Sequence, residues 1–239
     1  MNHNIKIFVD FDGTITKKDV GENIFIRFGN QPRTNEIIED IKNAKITGME
    51  GWLQLFREAP DLTMEQVESF TKDFEIDLTF LKLVDFCKLN DIRMFVLSDG
   101  FDNYIGSIFK REGLSDIPYF SNTLVVTASG GISPVFPYTD EECTCCANCK
   151  RNHVLEQSDD EEFTVYIGNG SSDTCPAQYC DFIFAKDELR KFCEKERISY
   201  FPYASFEDVV KQLELLIMKK RLKKRHQAVL KRNDVYKLG

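Results

Sequence analysis

Three short polar loops, each directly behind an apolar run, hold the residues of this sequence best suited to chemistry. They are Asp10-Phe11-Asp12-Gly13-Thr14 after Ile5–Val9, Ser98-Asp99-Gly100 after Ile92–Leu97, and Gly168-Asn169-Gly170-Ser171-Ser172-Asp173 after Phe163–Ile167. Paired carboxylates suit nucleophilic and acid–base work. Residues two apart on a strand share a face, but the strand would carry Asp12 onward past the site. Gly13 lets the chain turn, so Asp12 can swing over it. Each loop alone is a weak signal; three in this order, each behind a buried strand, are a strong one. Other nucleophile arrangements fail: the chain has three His, no Gly-x-Ser-x-Gly elbow and no P-loop.

The elements that must position these loops follow from periodicity. The three runs read as strands, with a fourth at Phe182–Ala185, and helical patterns at Thr79–Leu89, Asn103–Glu112, Asp173–Tyr179 and Asp187–Lys195 separate them. Such alternation predicts an α/β fold with a Rossmann-like parallel sheet, whose ligands bind outside the carboxyl ends of the strands. About 80 residues between the first two strands are too long for one crossover. Asn23–Phe28, Asn35–Lys42, Glu50–Glu58 and Met64–Phe74 show helical periodicity there, punctuated by Pro32 and Pro60. The expected organisation is a core of residues 1–16 and 76–239 with an inserted helical cap at 17–75. A small Cys-rich β insert spans about 119–149, where TLVVT and ISPVF read as a hairpin before the run CTCCANCK. Residues 211–239 read as a basic C-terminal helix.

Composition bounds the function. The 239 residues are 42% hydrophobic and 29% charged, enough for a sizeable core, which excludes a disordered chain or a disulfide scaffold. No apolar run approaches the roughly 18 residues of a membrane span, so no integral membrane contact is expected. The N-terminus lacks a signal-peptide layout, because Asp10 and Asp12 close its apolar stretch. A cytoplasmic location follows, and with it thiols or metal ligands rather than disulfides for the eight Cys. The net charge of -8 argues against nucleic acid as substrate. From Lys211 onward, ten Lys or Arg stand against Glu214 and Asp234. That stretch reads as a solvated helix balancing an acidic body rather than as a contact for RNA or an anionic surface.

DFDGT, the Ser of VLSDG, Lys150 and GNGSSD resemble the four motifs of the haloacid dehalogenase superfamily of phosphohydrolases. The insertion resembles the helical cap of the branch containing phosphoserine phosphatase. The resemblance covers residues 5–15 and 90–195 and implies Asp10 as the nucleophile that becomes an aspartyl-phosphate. It implies Asp12 as the acid that protonates the leaving group and then activates water. Ser98, with N–H groups around Asp99 and Gly100, and Lys150 would hold phosphate; Thr14 would brace the turn. Magnesium is the implied cofactor, on the Asp10 carboxylate, the Asp12 carbonyl and the fourth motif. There the usual Asp is replaced by Asn169, one negative charge fewer, which predicts weaker magnesium binding. Asp173 remains as a supporting or substitute ligand.

The stretch Ile46–Gly51 with Phe56 and Pro60 resembles the cap of the methionine-salvage group, phosphatases of 2-hydroxy-3-keto-5-methylthiopentenyl 1-phosphate. Asp19, Trp52, Phe56 and Arg57 are candidate cap contacts to a small phosphorylated metabolite. Asp19 keeps a phosphoserine phosphatase open as an alternative, while Arg57, near but not at the place of that group's cap Arg, weighs against it; Cys175-Pro176 keeps open a phosphocholine or phosphoethanolamine phosphatase. An alternative of another class is a weakened phosphate-binding or scaffold protein. Cys143, Cys145, Cys146 and Cys149 have thiols for a structural zinc, in a cramped spacing.

Overall fold

The computed structural model describes residues 3–141 and 145–238. In chain order its elements are β1 (Ile5–Asp10), α1 (Val20–Phe28), α2 (Gln31–Lys42), α3 (Gly48–Glu58), α4 (Met64–Thr71), α5 (Phe80–Leu89), β2 (Arg93–Phe101), α6 (Asp102–Arg111), β3 (Tyr119–Val126), β4 (Ile132–Val135), α7 (Lys150–Glu156), β5 (Phe163–Gly168), α8 (Thr174–Ala177), β6 (Phe182–Ala185), α9 (Asp187–Lys195), β7 (Phe201–Pro202), α10 (Phe206–Ile217) and α11 (His226–Leu238). Contacts divide the chain into two units: Met1–Asp10, Ile76–Leu97 and Lys150–Gly239 form the first, Phe11–Glu75 and Ser98–Cys149 the second.

In the first unit the strands are parallel in the order β2-β1-β5-β6-β7. Ile7, Phe8, Val9, Val165, Tyr166 and Ile167 are all buried without alternation, as parallel strands covered on both faces must be. Asp10 stands opposite Leu97, and Val9 opposite Ile167, so Asp10 and Gly168 leave the sheet at the same end. Helices α5 and α10 pack through Phe80 and Phe206, whose rings meet edge to face at 5.1 Å.

The basic C-terminal stretch is two helices, not one: α10 ends at Ile217 and α11 begins at His226. This stretch delivers two guanidiniums to the carbonyls at the end of α8 and in the turn after it. The Arg225 guanidinium donates to the carbonyls of Ala177 (2.8 Å), Gln178 (2.7 Å) and Cys180 (2.9 Å). Arg232 donates to the carbonyl of Tyr179 and to Asp181 Oδ1 at 3.0 Å. Two cations of the basic run are thus bound to the unit, Arg232 buried and Arg225 half-buried, and the chain leaves helix where Arg225 stands.

In the second unit, side chains start the helices. Asp19 Oδ1 accepts from the Glu22 N–H at 2.7 Å, and Thr47 with Glu50 and Thr63 with Gln66 form reciprocal capping boxes on α3 and α4. Phe25, Trp52, Phe56 and Phe101 pack as one aromatic cluster, with Trp52 and Phe101 at 5.0 Å. The expected hairpin is present: β3 and β4 pair antiparallel with Thr123 opposite Val135. It is tied to the turn before α4 by an Ile132 N–H bond to the Leu62 carbonyl at 3.1 Å. Residues 98–149 therefore group by contacts with 11–75.

Candidate active site

In the first unit Asp10, at the carboxyl end of β1, meets Lys150, the first residue of α7. Lys150 Nζ donates to Asp10 Oδ1 at 2.6 Å, to Asp173 Oδ1 at 2.8 Å and to Ser172 Oγ at 3.2 Å. The three hydrogens of the ammonium match these three acceptors. Lys150, Asp10 and Asp173 are 2%, 4% and 0% exposed, so the cation is held out of water by its two carboxylates. Burial alone would push the Lys150 ammonium down, but the charges of Asp10 and Asp173 reverse this and hold it above the ordinary lysine range.

Asp173 organises the loop behind β5. Its Oδ1 also accepts from the Tyr166 hydroxyl at 2.7 Å, and its Oδ2 accepts from the N–H groups of Asn169 and Gly170, both at 2.9 Å. Four donors fill the capacity of one carboxylate, so Asp173 is built as an anchor of the loop that presents Asn169. Tyr166 is buried, and burial together with the charges of Asp173 and Asp10 lifts its phenol well above the usual tyrosine range.

In the second unit Gly13 takes φ 73°, a left-handed conformation that favours glycine, and the chain turns at Asp12 as the sequence required. Thr16, unnoticed in the sequence, braces this turn: its hydroxyl accepts from the Gly13 N–H at 3.1 Å and has the Lys18 carbonyl at 2.8 Å and the Phe11 carbonyl at 3.2 Å as acceptors for its one hydrogen. Thr14 is buried beside it. Asp12 Oδ1 accepts from the Val20 N–H at 2.9 Å, the first donor of α1. Asp12 Oδ2 accepts from Ser98 Oγ at 3.0 Å and from Tyr104 Oη at 2.9 Å. Burial raises the Asp12 carboxyl above the ordinary aspartate range, against the Val20 N–H, Tyr104, Ser98 and the Gly21 N–H, which act the other way. A raised carboxyl suits an acid that must carry a proton near neutral pH.

The second loop is held from behind. Asn148 Nδ2 donates to the carbonyls of Ser98 (2.7 Å) and Phe120 (3.0 Å), while Asp99 Oδ1 accepts from the Asn148 N–H at 2.9 Å. Ser98 Oγ accepts from the Gly100 N–H at 2.9 Å. A Cβ at position 100 would lie 1.6 Å from Tyr104 Oη, so this glycine is required for close approach.

The predicted residues thus gather as Asp10 with Lys150, Asp173 and the Asn169 N–H in one unit, and as Asp12 with Ser98, beside Asp99 and Gly100, in the other. Asp19 caps α1, Trp52 and Phe56 belong to the aromatic cluster, and Arg57 is exposed on the last turn of α3. Tyr104, Tyr166, Thr16 and Asn148 were missed. The two tyrosines carried one signal: a hydroxyl in an otherwise apolar segment needs a buried partner.

The possible structural zinc has no support. Among the described residues no three His, Cys, Asp or Glu side chains gather to hold a metal ion; Cys143 lies outside them. Cys145 is exposed, Cys146 half-buried and Cys149 buried. Nor, among the described residues, is any helix long and apolar enough to cross a membrane.

Comparison with known proteins decides the family. Residues 5–201 match the family described as "Putative Phosphatase". The chain belongs to it. This phosphatase is 30% identical over 222 residues to the 2-hydroxy-3-keto-5-methylthiopentenyl-1-phosphate phosphatase of Bacillus cereus, across 90% of this chain and 98% of that one. The protein of the same name from Bacillus mycoides is 31% identical over 218 residues, with the same coverage. A solved phospho-aspartyl intermediate analogue of phosphoserine phosphatase shares the fold, with TM-score 0.69 and 18% identity over 89% of this chain and 99% of that one. A substrate-bound phosphoserine phosphatase complex does so with TM-score 0.68 and 17% identity, again over 89% and 99%.

Proposed function

We propose that this phosphatase hydrolyses a small phosphorylated metabolite in the cytoplasm, with magnesium, through an aspartyl-phosphate on Asp10. The observation that carries the reading is the Lys150 ammonium buried between the carboxylates of Asp10 and Asp173. It holds Asp10 ionised and in place, as an attacking carboxylate must be.

Asp10 attacks phosphorus while the bond to the leaving oxygen breaks, and that oxygen takes the proton of Asp12. Asp12, now a carboxylate, accepts a proton from water as the water oxygen attacks phosphorus, and the bond to Asp10 breaks. Ser98, the N–H groups of the Asp99–Gly100 loop, Thr14 and Lys150 hold the phosphoryl oxygens. The donors offered to a cation are hard oxygens: the Asp10 carboxylate, the Asp12 carbonyl and the Asn169 amide, with Asp173 ordering the loop, and they suit magnesium. When bound, magnesium supplies charge neutralisation to the phosphoryl group.

The sequence likeness to the methylthiopentenyl-phosphate phosphatases makes that phosphomonoester the first candidate, with phosphoserine next. The test is phosphate release from a panel of these two, phosphocholine, phosphoethanolamine and p-nitrophenyl phosphate, with and without magnesium, using Asp10→Asn as blank. Magnesium-dependent turnover lost in the variant is expected. Phosphate bound without turnover would replace the reading with a phosphate-binding protein.

A further inference from the structure

We propose that Tyr104 is a positioning residue for the proton transfer at Asp12, an assignment that rests on the phosphatase reading above. Asp12 sits on a turn, and a carboxylate on a turn needs its side chain fixed by its partners. One oxygen is fixed by the Val20 N–H; the other is shared by Ser98 and Tyr104. Ser98 has a second duty, because its oxygen accepts from the Gly100 N–H. Tyr104 is the rigid partner.

Its rigidity is visible on every side. Tyr104 lies in the first turn of α6 and is 0% exposed. Its ring packs near Phe11, centroids 6.1 Å apart, and near Phe101 at 6.5 Å. The hydroxyl reaches Asp12 past a glycine. A Cβ on Gly100 would fall 1.6 Å from Tyr104 Oη and 2.7 Å from Asp12 Oδ2. The sequence thus clears backbone space for this one hydroxyl. A phenol on two torsions, wedged between rings, gives the carboxyl an orientation that a freely rotating serine hydroxyl alone would not.

Orientation matters in one bond-making event. As the bond from phosphorus to the leaving oxygen breaks and the Asp10–phosphorus bond forms, the leaving oxygen keeps the electron pair and takes the Asp12 proton. Acid catalysis requires the carboxyl within hydrogen-bond reach of that oxygen. An alkyl ester needs this proton; a nitrophenyl ester, whose leaving group departs as a stable anion, does not. The parameter kcat/KM reports only steps up to that departure, so the later attack by water does not blur the comparison.

The experiment is Tyr104→Phe, which keeps the ring and its packing, assayed on the best alkyl phosphomonoester of the panel and on p-nitrophenyl phosphate. The expected result is a loss of about 10- to 100-fold in kcat/KM for the alkyl ester and less than about 3-fold for the aryl ester. Equal losses on both, or none, would overturn the assignment. A crystal structure of the variant gives a reading independent of turnover. There Asp12 Oδ2 is expected to have swung away from its place beside Ser98 Oγ; a carboxylate in its original orientation overturns the proposal. Should wild type and Asp10→Asn both fail on the whole panel, the phosphatase reading falls by itself, and the variant structure alone decides the role of Tyr104.

Discussion

Lys150 Nζ and Asp10 Oδ1 lie 2.6 Å apart where side-chain exposure is 2% and 6%, and the same ammonium spans to Asp173. One cation therefore serves two buried carboxylates. Lys150→Met would leave both without their counter-charge, and breaking a buried pair from one side costs about 3–5 kcal/mol. The variant is expected to lose that much stability at pH 8 by urea denaturation. Turnover should drop at least about 100-fold, as for other removed charge stabilisers. A variant as stable as wild type at pH 8 would sink this account of the triad.

Asn169 tests the cation site. Its N–H is fixed by Asp173 Oδ2 at 2.9 Å, and the residue stands where the motif it resembles has a carboxylate. Asn169→Asp adds one negative charge there. Half-saturating magnesium in the phosphatase assay should fall several-fold, since affinity for a hard cation rises with ligand charge. Without magnesium the same change adds charge beside a buried carboxylate, so the metal-free melting temperature should fall and recover on adding magnesium. An unchanged magnesium requirement would show that Asn169 is not a ligand.

The residues a strand-end loop presents were legible in the sequence, because Asp10, Asp12, Ser98 and Asp173 follow apolar runs directly and need only the parallel topology to be aimed. Lys150 was legible by resemblance. The side chains that hold these were not. Tyr166 and Tyr104 act through partners seven and 92 positions away, and local periodicity carries no trace of such pairs. Asn148 reads as any loop Asn until its amide is seen bridging the Ser98 and Phe120 carbonyls. The two-residue strand β7 is too short to leave a pattern. The basic tail misled for a physical reason: a charge run reads as a solvated face, and nothing nearby in sequence announces the carbonyls of residues 177–180 that take up its two guanidiniums.

That tail carries a stability prediction. Arg232 is 5% exposed and pairs at 3.0 Å with Asp181, itself buried. Arg232→Met would strand the Asp181 charge and is expected to cost about 3 kcal/mol. Arg225→Met, which removes a donor group from three carbonyls, should cost about 1–3 kcal/mol. The two share Asp181, so the double variant should depart from additivity. High salt should change little, because buried pairs are poorly screened. Losses within about 0.5 kcal/mol for both, the ordinary range of surface changes, would return the tail to the solvated-face reading.

His153 gives the chain an acid limit. It lies in α7, three residues after Lys150, and is 2% exposed. Burial pushes its imidazole down to about 4, from an ordinary value of 6.5. Unfolded, the ring takes a proton as pH falls through about 6.5; folded, it stays neutral until about 4. The unfolded state therefore binds more protons in that window, and stability must fall as pH drops through it. The full effect, at about 1.4 kcal/mol per unit, is at most about 3 kcal/mol, reached near pH 4. His153→Gln removes the titration while keeping a polar side chain. Urea denaturation from pH 7 to pH 4 should then show a flatter fall for the variant than for wild type, whatever the variant's stability at neutral pH. Parallel curves would mean that His153 takes its proton in the folded state as readily as in the unfolded one, and that the acid limit is set by other groups.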